Sequence, residues 1–412
     1  MKRWVVIALS TLLVPLGFAA ELPMGTPEEV GMSSVRLQQI NTVMRRHIDA
    51  GHIQGGVTAV ARRGKVVHFA THGLMDVQAK RPMEKDAIFI MMSSTKPILG
   101  VAAMMMIEEG LIRPSDPVSK YIPEFEGMQV AVLKDPADEE VSPYNVARND
   151  PPAHRLVPAR REITIEHLLT HTSGLMSGGL GAAVSAPIPR VTLADYIPKL
   201  GQVALDFQPG STWKYSGGTG LDVVARIIEI VSGVPYDEFV QTRIFNPLGM
   251  KDTHYNLPAD KEDRRVEITD RDMSRFRNQT TSYFSGSYGL SSTAEDFLRF
   301  EQMLAGGGEL FGNRLLSPRS VRMMASNHTG DLYKGFSQSD EGVGFGYTVA
   351  VVVDDIKAGA RRSNGAFGWG GAFGTRSWTD PQEELTAVLM IQQPHPGTAY
   401  DFENAIQQAI ID

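Results

Sequence analysis

From Ile88 to Ile107 the chain is apolar on every face, interrupted only by Ser93-Ser94-Thr95-Lys96-Pro97 and Gly100. A run of this length without a polar stripe predicts a helix buried in the middle of a domain, with other elements packed around it on all sides. Pro97 falls in its first turn, where a missing N–H does no harm, and Gly110 stands where a C-cap would end it. Ser93 and Lys96 are three apart, so the hydroxyl and the amine share one face. The helix N-terminus adds a partial positive charge and free N–H groups beside Ser93. A serine with an amine beside it and donors around it is an activated nucleophile in outline. The spacing alone is not specific: Ser93 also suits an N-cap, Lys96 a snorkelling surface site, and a second Ser-x-x-Lys occurs at Ser211–Lys214.

The flanks say what surrounds this helix. Ser33 to Ala50 carries apolar residues at helical spacing (Leu37, Ile40, Val43, Met44, Ile48), and Gly55 to Leu74 alternates as two strands around Arg62-Arg63-Gly64-Lys65. From Ile112 to about Ser285 the texture changes to Pro-rich loops, charged turns and amphipathic helices, among them Thr164 to Thr170 and Gly220 to Ser232. Glu124 to Arg161 is long, polar and irregular, which predicts a flap or insertion rather than a structural loop. Strands return at Gly344 to Val353, Ala366 to Trp378 and Leu385 to Gln393, followed by a helix over Ala399 to Ile411. Strands at both chain ends predict an α+β fold, an α/β sandwich with one antiparallel sheet built from the two termini and flanked by helices. The predicted organisation is a single catalytic domain over residues 20–412. Its α/β lobe takes in about 20–115 and 286–412, a mainly helical lobe at about 116–285 is inserted, and the site lies between them.

Charge and cysteine content narrow the function classes. The net charge of -7 argues against a nucleic-acid partner, which would normally need a basic face. Met1 to Ala20 reads as a secretory signal, with a basic start at Lys2-Arg3, a short apolar core and a small-residue exit at Gly17 and Ala19. Cleavage is expected after Ala19, giving an exported, periplasmic or secreted protein. That run is short for a membrane anchor, and no other run is long enough and free enough of breakers to span a bilayer. The chain contains 0 cysteines. Disulfide staples, a thiolate metal site and a cysteine nucleophile are therefore excluded.

Two further stretches carry chemistry. Gln208-Pro209-Gly210-Ser211-Thr212-Trp213-Lys214-Tyr215-Ser216-Gly217-Gly218 places a tyrosine in a Gly-rich turn ahead of a helix. Phe367-Gly368-Trp369-Gly370-Gly371-Ala372-Phe373 puts adjacent glycines in a strand, which marks a place where something approaches the backbone closely. Read with Ser93-Ser94-Thr95-Lys96-Pro97 and with Pro158-Ala159-Arg160-Arg161-Glu162-Ile163-Thr164-Ile165 leading into His167-Leu168-Leu169-Thr170-His171-Thr172-Ser173-Gly174-Leu175, these pieces occur in an order that resembles the penicillin-recognising serine hydrolases. Within them the chain resembles the class C β-lactamase-like branch, most closely the family VIII carboxylesterases, over about residues 27 to 410.

The resemblance implies roles residue by residue. Ser93 would be the acyl-accepting nucleophile, with Lys96 and Tyr215 sharing the proton work as a coupled pair. The backbone N–H groups of Ser93 and Ala372 would form the oxyanion hole, and Trp369, Gly370 and Gly371 would line the substrate. No cofactor and no metal are implied. Branch members acting on penicillin or peptidoglycan commonly open the third motif with Lys or His and carry Asn two places after the tyrosine. Here those positions are Trp369 and Gly217. A missing cation removes an anchor for a substrate carboxylate, and Trp369 offers an apolar wall instead. The expectation is therefore a serine carboxylesterase cleaving small-molecule, short-chain esters; β-lactamase, DD-peptidase and acyl transfer are the alternatives within the enzymes, and a binding or sensor relative the alternative outside them. His167 and His171 have metal-ligand spacing on a helix, but Glu166 precedes the pair rather than falling within it, and no G-x-S-x-G elbow occurs. The clusters Met91-Met92 and Met104-Met105-Met106 read as core filling.

Overall fold

The computed structural model describes residues 20–134, 146–268, 280–336 and 340–412. The expected signal, residues 1–19, lies outside the described residues. Among the described residues no helix is long and apolar enough to cross a membrane.

An eight-stranded sheet is built from both chain ends. Its strands are β1 (Gly55–Arg62), β2 (Lys65–Asp76), β3 (Arg81–Pro82), β4 (Val343–Phe345), β5 (Ala350–Val352), β6 (Phe367–Gly370), β7 (Arg376–Asp380) and β8 (Leu385–Ile391). In space the order is β4-β5-β6-β7-β8-β1-β2-β3, every neighbour antiparallel. The last strand therefore zips to the first, with Gly56 opposite Ile391 and Arg62 opposite Leu385. All eight residues of β1 and all seven of β8 are buried, because helices cover both faces.

The two faces sort by alternation. Val60, Leu385, Ala387, Leu389 and Ile391 pack under α1 (Gln39–Asp49) and α6 (Pro396–Gln407). Val57, Ala59, Ala61, Val388 and Met390 face the main core with α2 (Lys96–Glu108) and α5 (Ala294–Ala305). In α2, residues Lys96 to Met106 are all buried, as the unstriped apolar run predicts. Pro97 stands in its first turn, and Gly110 beyond its end takes φ 72°, a left-handed value that glycine adopts without strain. Among the inserted helices, α3 spans Ile165–Leu169 and α4 spans Gly220–Ser232.

Three expectations need correction. Gly344 to Val353 is not one strand but the hairpin β4–β5, turned at Thr348 with φ 68°. Ala366 to Trp378 is likewise the hairpin β6–β7, turned through Gly371–Thr375 with Gly374 at φ 101°. The final helix begins earlier than Ala399, at Pro396, because the His395 side chain accepts from Thr398 N and Pro396 suits a first turn. Within Glu124 to Arg161, Gln129–Leu133 and His154–Pro158 pair as an antiparallel ladder, so this section is more regular than its composition suggests; residues 135–145 lie outside the described residues.

Candidate active site

Ser93 sits in a 3-10 turn, Met92–Thr95, that runs directly into α2. Met92 ahead of it holds φ 45°, a strained value for a side-chain-bearing residue. The neighbourhood enforces it: Met91 N donates to Leu290 O at 2.9 Å, and the Gln392 side-chain amide brackets Ile90, accepting from its N–H at 3.1 Å and donating to its carbonyl at 3.2 Å.

Lys96 is fully buried, and its three ammonium hydrogens have three acceptors. Nζ donates to Ser93 Oγ at 3.1 Å, to Gly217 O at 3.0 Å and to Ser287 O at 2.8 Å. It also lies 4.9 Å from the centre of the Tyr215 ring. Tyr215 Oη donates to the same Ser93 Oγ at 2.8 Å. Residues separated by 122 positions thus converge on one hydroxyl.

The His-Thr-Ser-Gly-Leu stretch holds that tyrosine in place. Helix α3 stops at Leu169 and His171 turns left-handed with φ 57°, so His167 and His171 do not share a helical face. His167 Nδ1 accepts from Thr164 N at 3.1 Å, closing a capping box. The His171 carbonyl accepts from Lys214 N at 3.1 Å, and its ring packs edge-on against Tyr215 at 4.7 Å between centres. Ser216 Oγ donates to Leu175 O at 2.8 Å and accepts from Gly220 N at 2.9 Å, fixing the turn to the start of α4. Burial, with the Lys96 charge added, holds the His171 imidazole well below its usual range and therefore neutral. The second Ser-x-x-Lys, Ser211–Lys214, is the non-helical turn that presents Tyr215.

The third motif closes over the head of α2. An ideal Cβ on Gly371 would lie 2.2 Å from Met91 O, so only glycine lets β6 approach this closely. Thr375 Oγ1 donates to Met91 O at 3.2 Å and pairs with Ser94 Oγ at 2.9 Å, tying the same turn to the residues on either side of Ser93. Ala372, at the tip of the turn, is exposed. Trp369 is almost buried, with its ring 5.7 Å from Tyr215, 5.5 Å from Phe336 and 5.2 Å from Phe345. Trp213 and Tyr333 extend this group of rings into an aromatic wall, of which Tyr215 touches Ser93.

Asp222 went unseen in the sequence. It is fully buried on α4 and accepts from Tyr283 Oη at 2.6 Å, Ser285 Oγ at 2.6 Å and Ser287 N at 3.1 Å. Burial pushes its carboxyl above the ordinary range, while the hydrogen bonds from Ser285 and Tyr283 pull the other way. Its effect is positional, since Ser287 is the residue whose carbonyl holds Lys96. A cleft of about 300 Å³ opens beside Met92, lined also by Arg190, Tyr255, Tyr288 and Gly289. The Arg190 guanidinium is fixed there by Tyr288 Oη and Thr219 Oγ1, both at 2.8 Å.

A hydroxyl that meets both an amine and a phenol can lose its proton to that pair and attack a carbonyl. Comparison with known proteins points the same way. A family model described as Beta-lactamase matches residues 40–410. Protein Rv1367c of Mycobacterium tuberculosis is 34% identical over 373 residues, covering 85% of this chain and 88% of that protein. Esterase EstB of Burkholderia gladioli is 26% identical over 407 residues, covering 90% of this chain and 94% of its own length. The solved structure of EstCE1, described as a hydrolase with promiscuous acyltransferase activity, superposes with a TM-score of 0.71 at 25% identity, covering 92% of this chain and 99% of that one.

Proposed function

The chain belongs to the β-lactamase family, and within this family of serine hydrolases we propose that it cleaves carboxylic esters through an acyl-enzyme on Ser93. The observation that carries the reading is the convergence on Ser93 Oγ of Tyr215 Oη at 2.8 Å and Lys96 Nζ at 3.1 Å.

In the first half-reaction Ser93 Oγ attacks the ester carbonyl carbon while its proton passes to the Lys96–Tyr215 pair, which accepts it in the form that carries one proton fewer than ammonium plus phenol. The negative charge moves to the carbonyl oxygen, held by the backbone N–H groups of Ser93 and Ala372. Collapse of the tetrahedral intermediate breaks the bond to the alcohol oxygen, which takes the proton back from the pair and leaves. Water then repeats the sequence on the acyl-enzyme, releasing the acid and restoring Ser93. Both groups contact the same hydroxyl, so the role of base is assigned to the pair.

Trp369 supports esters over β-lactams. It stands where a cation would anchor a substrate carboxylate, and its ring, with Phe336 and Phe345, offers a neutral wall suited to an acyl or alcohol group. The similarity to esterase EstB over nearly the full chain supports the same choice. Acyl transfer to an alcohol is the second reading, favoured by the description of EstCE1, and differs only in what resolves the acyl-enzyme.

The test pairs a short-chain p-nitrophenyl ester with a chromogenic cephalosporin, each assayed on the wild-type chain and on Ser93→Ala. Ester hydrolysis that disappears in Ser93→Ala, with little cephalosporin turnover, is the expected result. Fast cephalosporin hydrolysis overturns the ester assignment, and ester hydrolysis that survives in Ser93→Ala overturns the site.

A further inference from the structure

On the face of the sheet away from Ser93, the chain's two ends meet in a group of imidazoles. His47 lies buried in the last turn of α1, His52 in the loop entering β1, and His395 immediately before α6. One ring nitrogen from each lies within 4.8 Å of the others. His47 Nδ1 and His52 Nδ1 are 2.9 Å apart, and the His52 and His395 rings stack at 4.0 Å with an interplanar angle of 18°.

The hydrogen bonds around the group determine which lone pairs are open. His47 Nε2 meets Asp401 Oδ2 at 3.0 Å, and a carboxylate can only accept, so Nε2 carries the proton and Nδ1 is a bare lone pair in the neutral ring. A carboxylate behind an imidazole is the arrangement that orients metal-binding histidines and raises their basicity. At 2.9 Å from His52 Nδ1, that lone pair needs either a proton from His52 or a cation. His395 can adjust to either state. With its proton on Nδ1 it donates to Thr398 Oγ1 at 3.0 Å, leaving Nε2 open, while Thr398 N–H keeps the His395 carbonyl at 3.1 Å.

We propose that His47, His52 and His395 form a binding site for one transition-metal dication of the zinc class, with solvent completing the coordination. Zinc–nitrogen bonds of about 2.0–2.1 Å in a tetrahedron place neighbouring ligand nitrogens about 3.3–3.4 Å apart. The His47–His52 pair, at 2.9 Å, reaches that spacing by opening about half an ångström, and the half-buried His395 at the edge reaches it by side-chain rotation. Three imidazoles without a carboxylate ligand suit zinc, nickel or copper and discriminate against magnesium and calcium, which take oxygen. The ion would join α1 to α6, crosslinking the beginning and end of a chain that has 0 cysteines.

The experiment uses the full, untagged chain, treated with a chelator and dialysed, then titrated with ZnCl₂ in a calorimeter and followed by thermal denaturation. The expected result is one zinc per chain and a rise in Tm of about 3 °C or more at a hundredfold excess over Kd, with MgCl₂ causing neither. His52→Ala and His395→Asn are each expected to weaken zinc binding at least about tenfold while ester hydrolysis is unchanged. Asn is chosen at 395 because its side-chain oxygen still caps α6, so a loss of binding there reports the ligand rather than the helix. Absence of a stoichiometric site, or zinc affinity that persists in both variants, overturns the proposal.

Discussion

Gly371→Ala tests how closely the third motif must approach Ser93, the proposed nucleophile. A Cβ at this position would lie 2.2 Å from Met91 O and 2.4 Å from Thr375 Oγ1. Ordinary contact needs about 3.4 Å, so the turn carrying Ala372 must retreat from the head of α2 by about 1 Å. Such overpacking typically costs about 1–3 kcal/mol of stability, which lowers Tm by a few degrees and leaves the fold intact. The effect on rate is larger. A misplacement of about 1 Å costs about 10²-fold, and loss of one oxyanion donor about 10²–10³-fold in kcat. The expectation is therefore a fall in kcat of about 10²–10³ on a short-chain p-nitrophenyl ester, with KM changed far less, because the N–H acts on charge that develops only in the transition state. Gly370→Ala is the internal control. Its Cβ would meet Thr375 O at 3.1 Å and nothing else closer than 3.6 Å, a crowding that a few tenths of an ångström relieves, so a methyl on this substrate-lining residue should act mainly on KM and lower kcat far less than Gly371→Ala. If Gly371→Ala retains wild-type kcat, or if both variants lose activity alike, the Ala372 N–H is not the donor and the reasoning fails.

Three further outcomes are expected. Tyr215→Phe removes the 2.8 Å bond to Ser93 Oγ and should lower kcat by about 10²–10⁴-fold in the same ester assay, with a normal circular dichroism spectrum. Asp222→Asn keeps the side-chain volume but replaces one of two accepting oxygens with a donor that faces Tyr283 Oη or Ser285 Oγ. It should cost about 1–3 kcal/mol in urea unfolding and slow turnover by loosening the Ser287 carbonyl on Lys96, whereas an unchanged kcat would make Asp222 purely a stabiliser. Burial raises the Glu301 carboxyl to about 7 from its ordinary 4.5, against the hydrogen bond from Thr379. The folded chain therefore holds a proton between about pH 4.5 and 7 that the unfolded chain releases, and stability from this group is present below the unfolded value and declines as pH rises through 7. Glu301→Gln should match wild type in Tm near pH 5 and exceed it near pH 8, and a variant less stable at pH 8 would refute the sign.

The parts legible in the sequence are those with a side-chain signature. The apolar run of α2 announced a helix buried on every side, the Ser93–Lys96 spacing put both groups on one face, and the ordered motifs brought in Tyr215 and Trp369. Helix α4 has the ends its amphipathic pattern predicts, Gly220 and Ser232. Backbone chemistry left no such mark. Two of the three acceptors on Lys96 are the carbonyls of Gly217 and Ser287, which any residue could supply. Asp222 lies on the buried side of an amphipathic helix, where its position within an apolar pattern was the available clue. The hairpins β4–β5 and β6–β7 read as single strands because apolar alternation continues through both turns, and the reversal at Thr348 depends on a positive φ that threonine does not advertise. The aromatic wall was half visible: Trp369 and Tyr215 came from motifs, whereas Phe336, Phe345, Tyr333 and Trp213 join them only through tertiary packing.

The most direct test of the central claim is intact-mass spectrometry of the chain quenched in acid during turnover of a slowly deacylating p-nitrophenyl ester, followed by peptide mapping. The account predicts a mass increase equal to one acyl group, located on the peptide containing Ser93 and absent from Ser93→Ala. An acyl group mapped to another residue, or turnover continuing in Ser93→Ala, would contradict it.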